Sequence, residues 1–197
     1  MQVALLDYTR DAEEAIATAA AVCYGTDTTP DANARRIQKL LQSGHLSPLR
    51  FAYASFRVMG VSRVESHQHV RVAHAGVLQR SQRYTQATRQ VVTPPSFASA
   101  SAECQELVRV ANAAAFTAYD RLLSESVPKE DARYVLPQGS VTEFVMTGNF
   151  HMWHNWLHNR ANQCAQWEIR QVAQLIHAHL SSIAPNVFPP RYPAPVC

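Results

Sequence analysis

Residues 130–170 read EDARYVLPQGSVTEFVMTGNFHMWHNWLHNRANQCAQWEIR, and this stretch has the clearest structural pattern in the chain. Residues 140–147 alternate between apolar and polar side chains, which predicts a strand. Residues 150–159 and 163–182 have helical spacing, and Pro185 ends the second of these segments. The stretch therefore predicts a strand that leads directly into two helices.

The rest of the chain adds further strands and helices to this pattern. Ser62 and Glu65 form the S-x-x-E pattern that starts a helix. Gly25, Gly44 and Gly76 are placed to end helices. The predicted strands cover residues 3–7 and 51–61, and the predicted helices cover residues 11–24, 31–43, 62–75, 102–125 and 128–134. We expect an α+β fold, with a small mixed or antiparallel sheet packed with several helices in one domain over residues 1–197.

Composition indicates a cytoplasmic protein with a sizeable core. Hydrophobic residues make up 47% of the 197 residues, and the low charged fraction of 17% leaves room for subunit interfaces. The net charge is +3 without a block of like charges, so neither a nucleic-acid polymer nor a membrane is an expected partner. The four cysteines form no CxxC pair, and the N-terminus lacks the pattern of a signal peptide.

Common cofactor motifs are absent from the sequence. It contains no G-x-G-x-x-G, no P-loop and no G-x-S-x-G, so the corresponding nucleotide-binding and hydrolase folds are not indicated. His151, His154 and His158 lie on one stripe of a predicted helix. No carboxylate or cysteine ligand completes this stripe, so we predict hydrogen-bonding histidines rather than a metal site.

Arginines and amides are the other candidate functional side chains. Gln68 and Arg71 are three residues apart on a predicted helix, and Ser81 precedes Arg83 by two residues in a polar turn. The planar guanidinium group matches the oxygens of a phosphate, so these residues are candidates for binding an anionic ligand. The alternative is that the arginines form ordinary surface ion pairs.

Two segments carry a resemblance to a known family. Residues 62–84, SRVESHQHVRVAHAGVLQRSQRY, and residues 130–170 resemble the flavin-dependent thymidylate synthases. In the second segment ARYVLP, Asn149, Arg160 and AQWEIR follow the family's order and spacing. The opening residues and HLSP at 45–48 also fit, so the resemblance covers about residues 1–188.

This resemblance implies a reaction, its cofactors and an assembly. Members of the family are homotetramers whose active sites combine residues of more than one subunit. They bind FAD, a nucleoside monophosphate and methylenetetrahydrofolate, and NADPH reduces the flavin. The implied reaction is the reductive methylation of C5 of the uracil ring. Some relatives serve nucleoside-antibiotic pathways and methylate UMP, which we favour over dUMP.

The resemblance also implies roles for individual residues. Arg160 and Ser81 are the expected catalytic residues: Arg160 binds the pyrimidine edge and stabilises negative charge, and Ser81 lies near the reacting ring. The expected substrate-binding residues are Gln68, Arg71, Gln79, Ser81, Arg83, Arg133 and Arg160. The expected cofactor-binding residues are Arg71, His74, Asn149, His151 and Asn155.

The sequence departs from the family on the flavin side. The family's RHR is Arg71-Val72-Ala73 here, its N-x-R is Asn149-Phe150-His151, and its P-F-E-H corresponds to PLRF at 48–51. Three interpretations remain open: a changed flavin site in which His74 and His151 replace the lost donors, a weakly held cofactor, or a nucleotide-binding relative without catalysis. We favour the first, because the nucleotide side of the pattern is retained.

Overall fold

Four strands and seven α-helices make up the described part of the chain, residues 1–69 and 72–190 of a computed structural model. The strands form one sheet in the order β1-β2-β4-β3. The strands are β1 (Gln2–Tyr8), β2 (Tyr53–Ser62), β3 (Gly76–Gln79) and β4 (Val141–Asn149). The helices are α1 (Ala12–Tyr24), α2 (Pro30–Gln42), α3 (Arg63–His69), α4 (Ala102–Ser124), α5 (Lys129–Ala132), α6 (Phe150–Arg160) and α7 (Trp167–Ile183). The predicted α+β class is confirmed.

The chain divides into two compact units, each built from separate stretches of sequence. Unit 1 comprises Met1–Val58, His69–Leu78 and Val145–Cys197. Unit 2 comprises Met59–Gln68 and Gln79–Phe144. The expectation of a single domain over residues 1–197 stays a prediction.

The core of unit 1 is built around Trp153 of α6. This side chain is fully buried, and its Nε1 donates a hydrogen bond to the backbone oxygen of Ala54 in β2 at 3.0 Å. The Phe56 ring meets the indole edge-on, with ring centroids 5.1 Å apart. The apolar stripe of α7 is also buried here, at Ile169, Val172, Ala173, Ile176 and Leu180. Together these contacts hold α6 against the sheet.

Unit 2 contains the longest helix, α4, which begins close to where the spacing predicts. Ser101 caps it by accepting a hydrogen bond from the backbone N–H of Cys104 at 3.2 Å. Near its other end Tyr119 is fully buried, and its hydroxyl accepts a hydrogen bond from the backbone N–H of Ala87 at 3.2 Å. The hydrogen bond of Tyr119 connects α4 to the segment that follows Ser81 and Arg83.

Helix α3 is shorter than the sequence predicts. Ser62 starts it as expected, since its hydroxyl accepts a hydrogen bond from the Glu65 N–H at 3.0 Å. The helix ends at His69 instead of residue 75, because Gly76 does not end a helix but begins strand β3. A Cβ atom at Gly76 would lie 2.9 Å from Cγ2 of Thr147 in β4, so the strands approach too closely there for a larger residue. Sheet pairing therefore overrides helical spacing in this segment.

Candidate active site

One face of helix α6 lines a cavity of about 800 Å³ within unit 1. His151, Asn155 and Arg160 lie on this face, and Asn149 at the N-terminal cap of the helix joins them. The opposite face carries Trp153 and points into the core. The amphipathic spacing of α6 thus separates the residues that hold the helix in place from those that are free to meet a ligand.

The start of α6 is fixed by contacts within unit 1. Asn149 caps the helix: its Oδ1 accepts a hydrogen bond from the Met152 N–H at 2.8 Å. A Cβ atom at Gly148 would collide with the Met152 side chain, so a residue larger than glycine would displace that side chain. The N–H of Phe150 donates to the backbone oxygen of Ala52 at 2.8 Å, which fastens the first turn to the segment before β2.

The cavity is rich in positive charge and hydrogen-bond donors. No aspartate or glutamate is among the residues that line it. Its polar lining residues are Arg50, His74, Asn149, His151, Asn155, Asn159 and Arg160. The Arg160 side chain is half-buried and makes no hydrogen bond or ion pair within the described residues. This chemistry favours an anionic ligand that also carries hydrogen-bond acceptors.

His151 contacts two other cavity residues through its ring nitrogens. Its Nδ1 lies 3.3 Å from Nε of Arg50, and its Nε2 lies 3.3 Å from Nδ2 of Asn155. Burial lowers the pKa of the His151 imidazole, and the positive charges of Arg50 and His74 lower this pKa further. His151 is therefore a neutral residue in a positively charged cavity.

Trp156 adds an aromatic surface to the cavity lining. Its ring packs edge-on against Trp153 at 5.5 Å between centroids and lies 5.2 Å from the His69 ring. The indole Nε1 is buried and has no hydrogen-bond acceptor among the described residues. A buried donor without a partner is costly, so this N–H suits a ligand that brings an acceptor.

Two of the predicted nucleotide contacts in unit 2, Arg83 and Arg133, meet at Glu130. Its carboxylate pairs with Arg83, and its backbone oxygen accepts a hydrogen bond from Nε of Arg133 at 3.0 Å. Arg63, which the sequence did not single out, lies nearby: burial lowers the pKa of its guanidinium, and the charge of Arg133 lowers it further. Three guanidinium groups thus share this region with Glu130, which favours an anionic ligand here too.

Gln79 and Ser81 already take part in hydrogen bonds of unit 2. Nε2 of Gln79 donates to Oγ of Ser66 at 2.7 Å and to Oγ1 of Thr142 at 3.2 Å. Both amide hydrogens are thereby used, so a nucleotide contact by Gln79 would have to involve Oε1. Oγ of Ser81 accepts a hydrogen bond from the Arg83 N–H at 3.1 Å, which shapes the predicted polar turn.

The predicted site residues therefore fall into two groups. Unit 1 brings His74, Asn149, His151, Asn155 and Arg160 to one cavity. Unit 2 contains the substrate-binding candidates, which are Gln68 in α3, Gln79, Ser81, Arg83 and Arg133. Arg71 lies outside the described residues. The ligands and roles of all these residues stay predictions.

Among the polar and aromatic residues of the cavity, sequence reasoning missed three. Asn159 lies four residues after Asn155, so helical spacing could have revealed it. Trp156 is a large apolar residue, and from the sequence alone a core position is the ordinary interpretation of it. Arg50 contacts His151 across 101 positions of the chain, and no local pattern reports such a contact.

Comparison with known proteins identifies the family. The model of the family described as thymidylate synthase complementing protein matches residues 4–186. The flavin-dependent thymidylate synthase of Sulfurisphaera tokodaii is 34% identical over 205 residues, which cover 100% of this chain and 79% of the relative. That of Geobacter sulfurreducens is 35% identical over 201 residues, covering 95% and 85%. The chain belongs to this family. Membership confirms the resemblance and the prediction of an enzyme of the flavin-dependent thymidylate synthase type.

A solved structure shares the fold of this family member. The UMP/dUMP methylase PolB from Streptomyces cacaoi, bound with 5-Br dUMP, superposes with a TM-score of 0.82 and covers 95% of this chain and 92% of its own. The two sequences are 22% identical, so this likeness is evidence for the fold. It agrees with the α+β architecture that the residues predict.

The unit 1 cavity fits the flavin cofactor that the family uses. Arginines and a neutral histidine suit phosphate groups, asparagine amides suit ring carbonyls and nitrogens, and Trp156 offers apolar surface and a donor in need of an acceptor. Among the described residues, no group of three or more His, Cys, Asp or Glu side chains could hold a metal ion. None of the helices in this part of the chain is long and apolar enough to cross a membrane.

Proposed function

We propose that this protein methylates C5 of the uracil ring of UMP, with dUMP as the alternative substrate. Methylenetetrahydrofolate is the carbon donor and NADPH is the reductant. The observation that carries this proposal is the cavity of unit 1, where four of the predicted cofactor residues and Arg160 line the same cationic space. A working enzyme needs such a site, whereas loss of catalysis would remove the constraint that keeps these residues together.

The cofactor side of the reaction is assigned to unit 1. Asn149, His151, Asn155 and His74 would hold FAD in the cavity, with Trp156 against its apolar surface. Bound FAD, reduced by NADPH, would supply hydride to the pyrimidine, and methylenetetrahydrofolate would supply the methylene carbon. The protein's own part is to orient the cofactor and to keep positive charge beside it.

The substrate side is assigned to arginines and a hydroxyl. Arg83 and Arg133 would bind the phosphate, because both guanidinium groups meet at Glu130 with Arg63 nearby. Arg160 would stabilise the negative charge that develops on the pyrimidine, since it has no competing partner within the described residues. Ser81 would position the ring. We further propose a cytoplasmic homotetramer whose active sites combine residues of more than one subunit.

The second candidate is a nucleotide-binding homologue without catalysis. It is favoured by the loss of two residues of the RHR pattern, which reads Arg71-Val72-Ala73 here. This candidate predicts UMP or dUMP binding without flavin turnover.

Product analysis distinguishes these functions. Purified protein is incubated with FAD, NADPH and methylenetetrahydrofolate, with UMP and dUMP supplied together, and the nucleotides are separated by mass. A methyl gain on UMP is expected. A gain on dUMP alone would assign the enzyme to thymidylate synthesis, and no gain on either, with nucleotide binding retained, would favour the homologue.

Arg160→Ala tests the assignment of the catalytic arginine. Loss of one charge-stabilising donor should reduce turnover by about 10²- to 10³-fold while the assembly stays intact. Arg109→Ala is the matched control, because Arg109 pairs with Glu106 on the exposed surface of α4. Equal turnover in both variants would remove Arg160 from the active site.

A further inference from the structure

Arg50 is held at the edge of the unit 1 cavity by its neighbours in sequence. It belongs to a short 3₁₀ helix, Ser47–Phe51, that packs against α6. The preceding residue, Leu49, is fully buried, and Ala52 accepts the backbone hydrogen bond that starts α6. The backbone under Arg50 is therefore anchored, while its side chain remains exposed to the cavity.

The contact between Arg50 and His151 determines where the imidazole carries its proton. Nε of Arg50 bears a hydrogen and can only donate, so Nδ1 of His151, at 3.3 Å, must be the acceptor. The proton of the neutral ring then lies on Nε2. The lowered pKa of His151 agrees with a neutral ring.

The Asn155 amide also lies beside this imidazole. Its Nδ2 is 3.3 Å from Nε2 of His151. Because Nε2 carries the hydrogen in this tautomer and Nδ2 is itself a donor, this contact does not hold the ring in place. The hydrogen bond from Arg50 is therefore the one that fixes the imidazole.

The same geometry leaves the two terminal nitrogens of Arg50 available to a ligand. Nε of Arg50 donates to His151, and the terminal nitrogens contact no carboxylate within the described residues. Those nitrogens carry four hydrogens in a plane that matches phosphate oxygens. No aspartate or glutamate lines the cavity, so this guanidinium group keeps its charge for a ligand.

We propose that Arg50 anchors a phosphate group of the flavin dinucleotide through the terminal nitrogens of its guanidinium group. His151 acts as a positioning residue, which holds the guanidinium group by accepting its Nε–H. The proposal rests on the proposed function in taking FAD as the ligand.

The test exchanges the charges across the contact and measures binding rather than turnover. Dissociation constants for FAD, from flavin fluorescence, are compared for the wild type, Arg50→Glu, His151→Arg and the double variant Arg50→Glu/His151→Arg. Arg50→Glu should weaken FAD binding by at least about tenfold, because a charge-assisted contact is lost. The double variant should recover binding to within about threefold of the wild type.

Two controls make the outcome specific. Arg10→Glu carries the same change of charge in unit 1 at an exposed residue that contacts Tyr8, and it should bind FAD as the wild type does. Inorganic pyrophosphate, as a competitor of FAD and as a probe by itself, reports the phosphate contact without the flavin ring. The proposal is wrong if Arg50→Glu binds FAD and pyrophosphate as tightly as the wild type, or if the double variant binds FAD as weakly as Arg50→Glu. If the wild type binds pyrophosphate through Arg50 but does not bind FAD, the phosphate contact is supported and the proposed function is contradicted.

Discussion

Two tryptophans of α6 offer a matched test of how the cavity is built. Trp153 and Trp156 are both buried on the same helix, and their rings touch edge-on. The indole N–H of Trp153 donates to Ala54 at 3.0 Å, whereas that of Trp156 has no acceptor among the described residues. Replacing each with phenylalanine removes the same atoms, so the difference between the variants isolates the N–H group.

The expected magnitude follows from the two hydrogen-bonding states. Trp153→Phe loses a bond with a net value of about 1 kcal/mol and adds a cost of about 1–3 kcal/mol if the Ala54 carbonyl is left without a partner. Trp156→Phe removes a donor whose burial without a partner costs about 1–3 kcal/mol. The loss of packing is similar at both sites. Trp153→Phe should therefore be less stable than Trp156→Phe by about 2 kcal/mol or more.

Urea unfolding of the ligand-free protein measures this difference directly. Protein concentration must be the same for both variants, because assembly and bound ligand shift apparent stability. In thermal unfolding the difference corresponds to about 4–8 °C for a chain of this size. FAD affinity should show the opposite order, since only Trp156 lines the cavity. If Trp156→Phe destabilises the ligand-free protein as much as Trp153→Phe, the reasoning about the unpartnered N–H is wrong.

Two further predictions concern the sheet and the histidine of the cavity. Gly76→Ala places a Cβ atom 2.9 Å from Cγ2 of Thr147 and should cost about 1–3 kcal/mol in urea unfolding. Adding Thr147→Ser, which removes that methyl group, should restore stability, and an unrestored double variant would contradict the steric explanation. The pKa of His151 is lowered from 6.5 by burial, then by Arg50 and His74, so the unfolded chain binds more protons there. The free energy of unfolding should therefore fall as the pH drops below 6.5, and it should fall less in His151→Asn. Urea titrations at about pH 7.5 and about pH 5.5 measure this difference. An equal fall in the wild type and the variant would exclude the contribution of His151.

Local patterns in the sequence were sufficient for most elements of the fold. The alternation in residues 140–147 and the helical spacing that follows correspond to β4, α6 and α7. These elements depend on backbone periodicities of two and 3.6 residues, which any stretch of chain carries in its own side chains. The motifs of residues 62–84 and 130–170 identified the family for the same reason, because they are read without knowledge of distant contacts.

Elements whose ends depend on other parts of the chain were not predictable in this way. Helical spacing continued to residue 75, but α3 ends at His69 because Gly76 joins the sheet close to Thr147. Strand β3 was missed altogether, since four residues carry too little pattern to outweigh the predicted helix.

The sequence by itself determined the family, the α+β class and most candidate site residues, because each of these is encoded by residue types at short spacing. Only the tertiary structure decided which candidates share a cavity and how they are oriented. The contact between Arg50 and His151 spans 101 positions. It sets the tautomer of the histidine, and it exists because the 3₁₀ helix Ser47–Phe51, anchored by the buried Leu49, packs against α6. Packing brings together residues that are far apart in the chain, and the chemistry of this cavity depends on that packing.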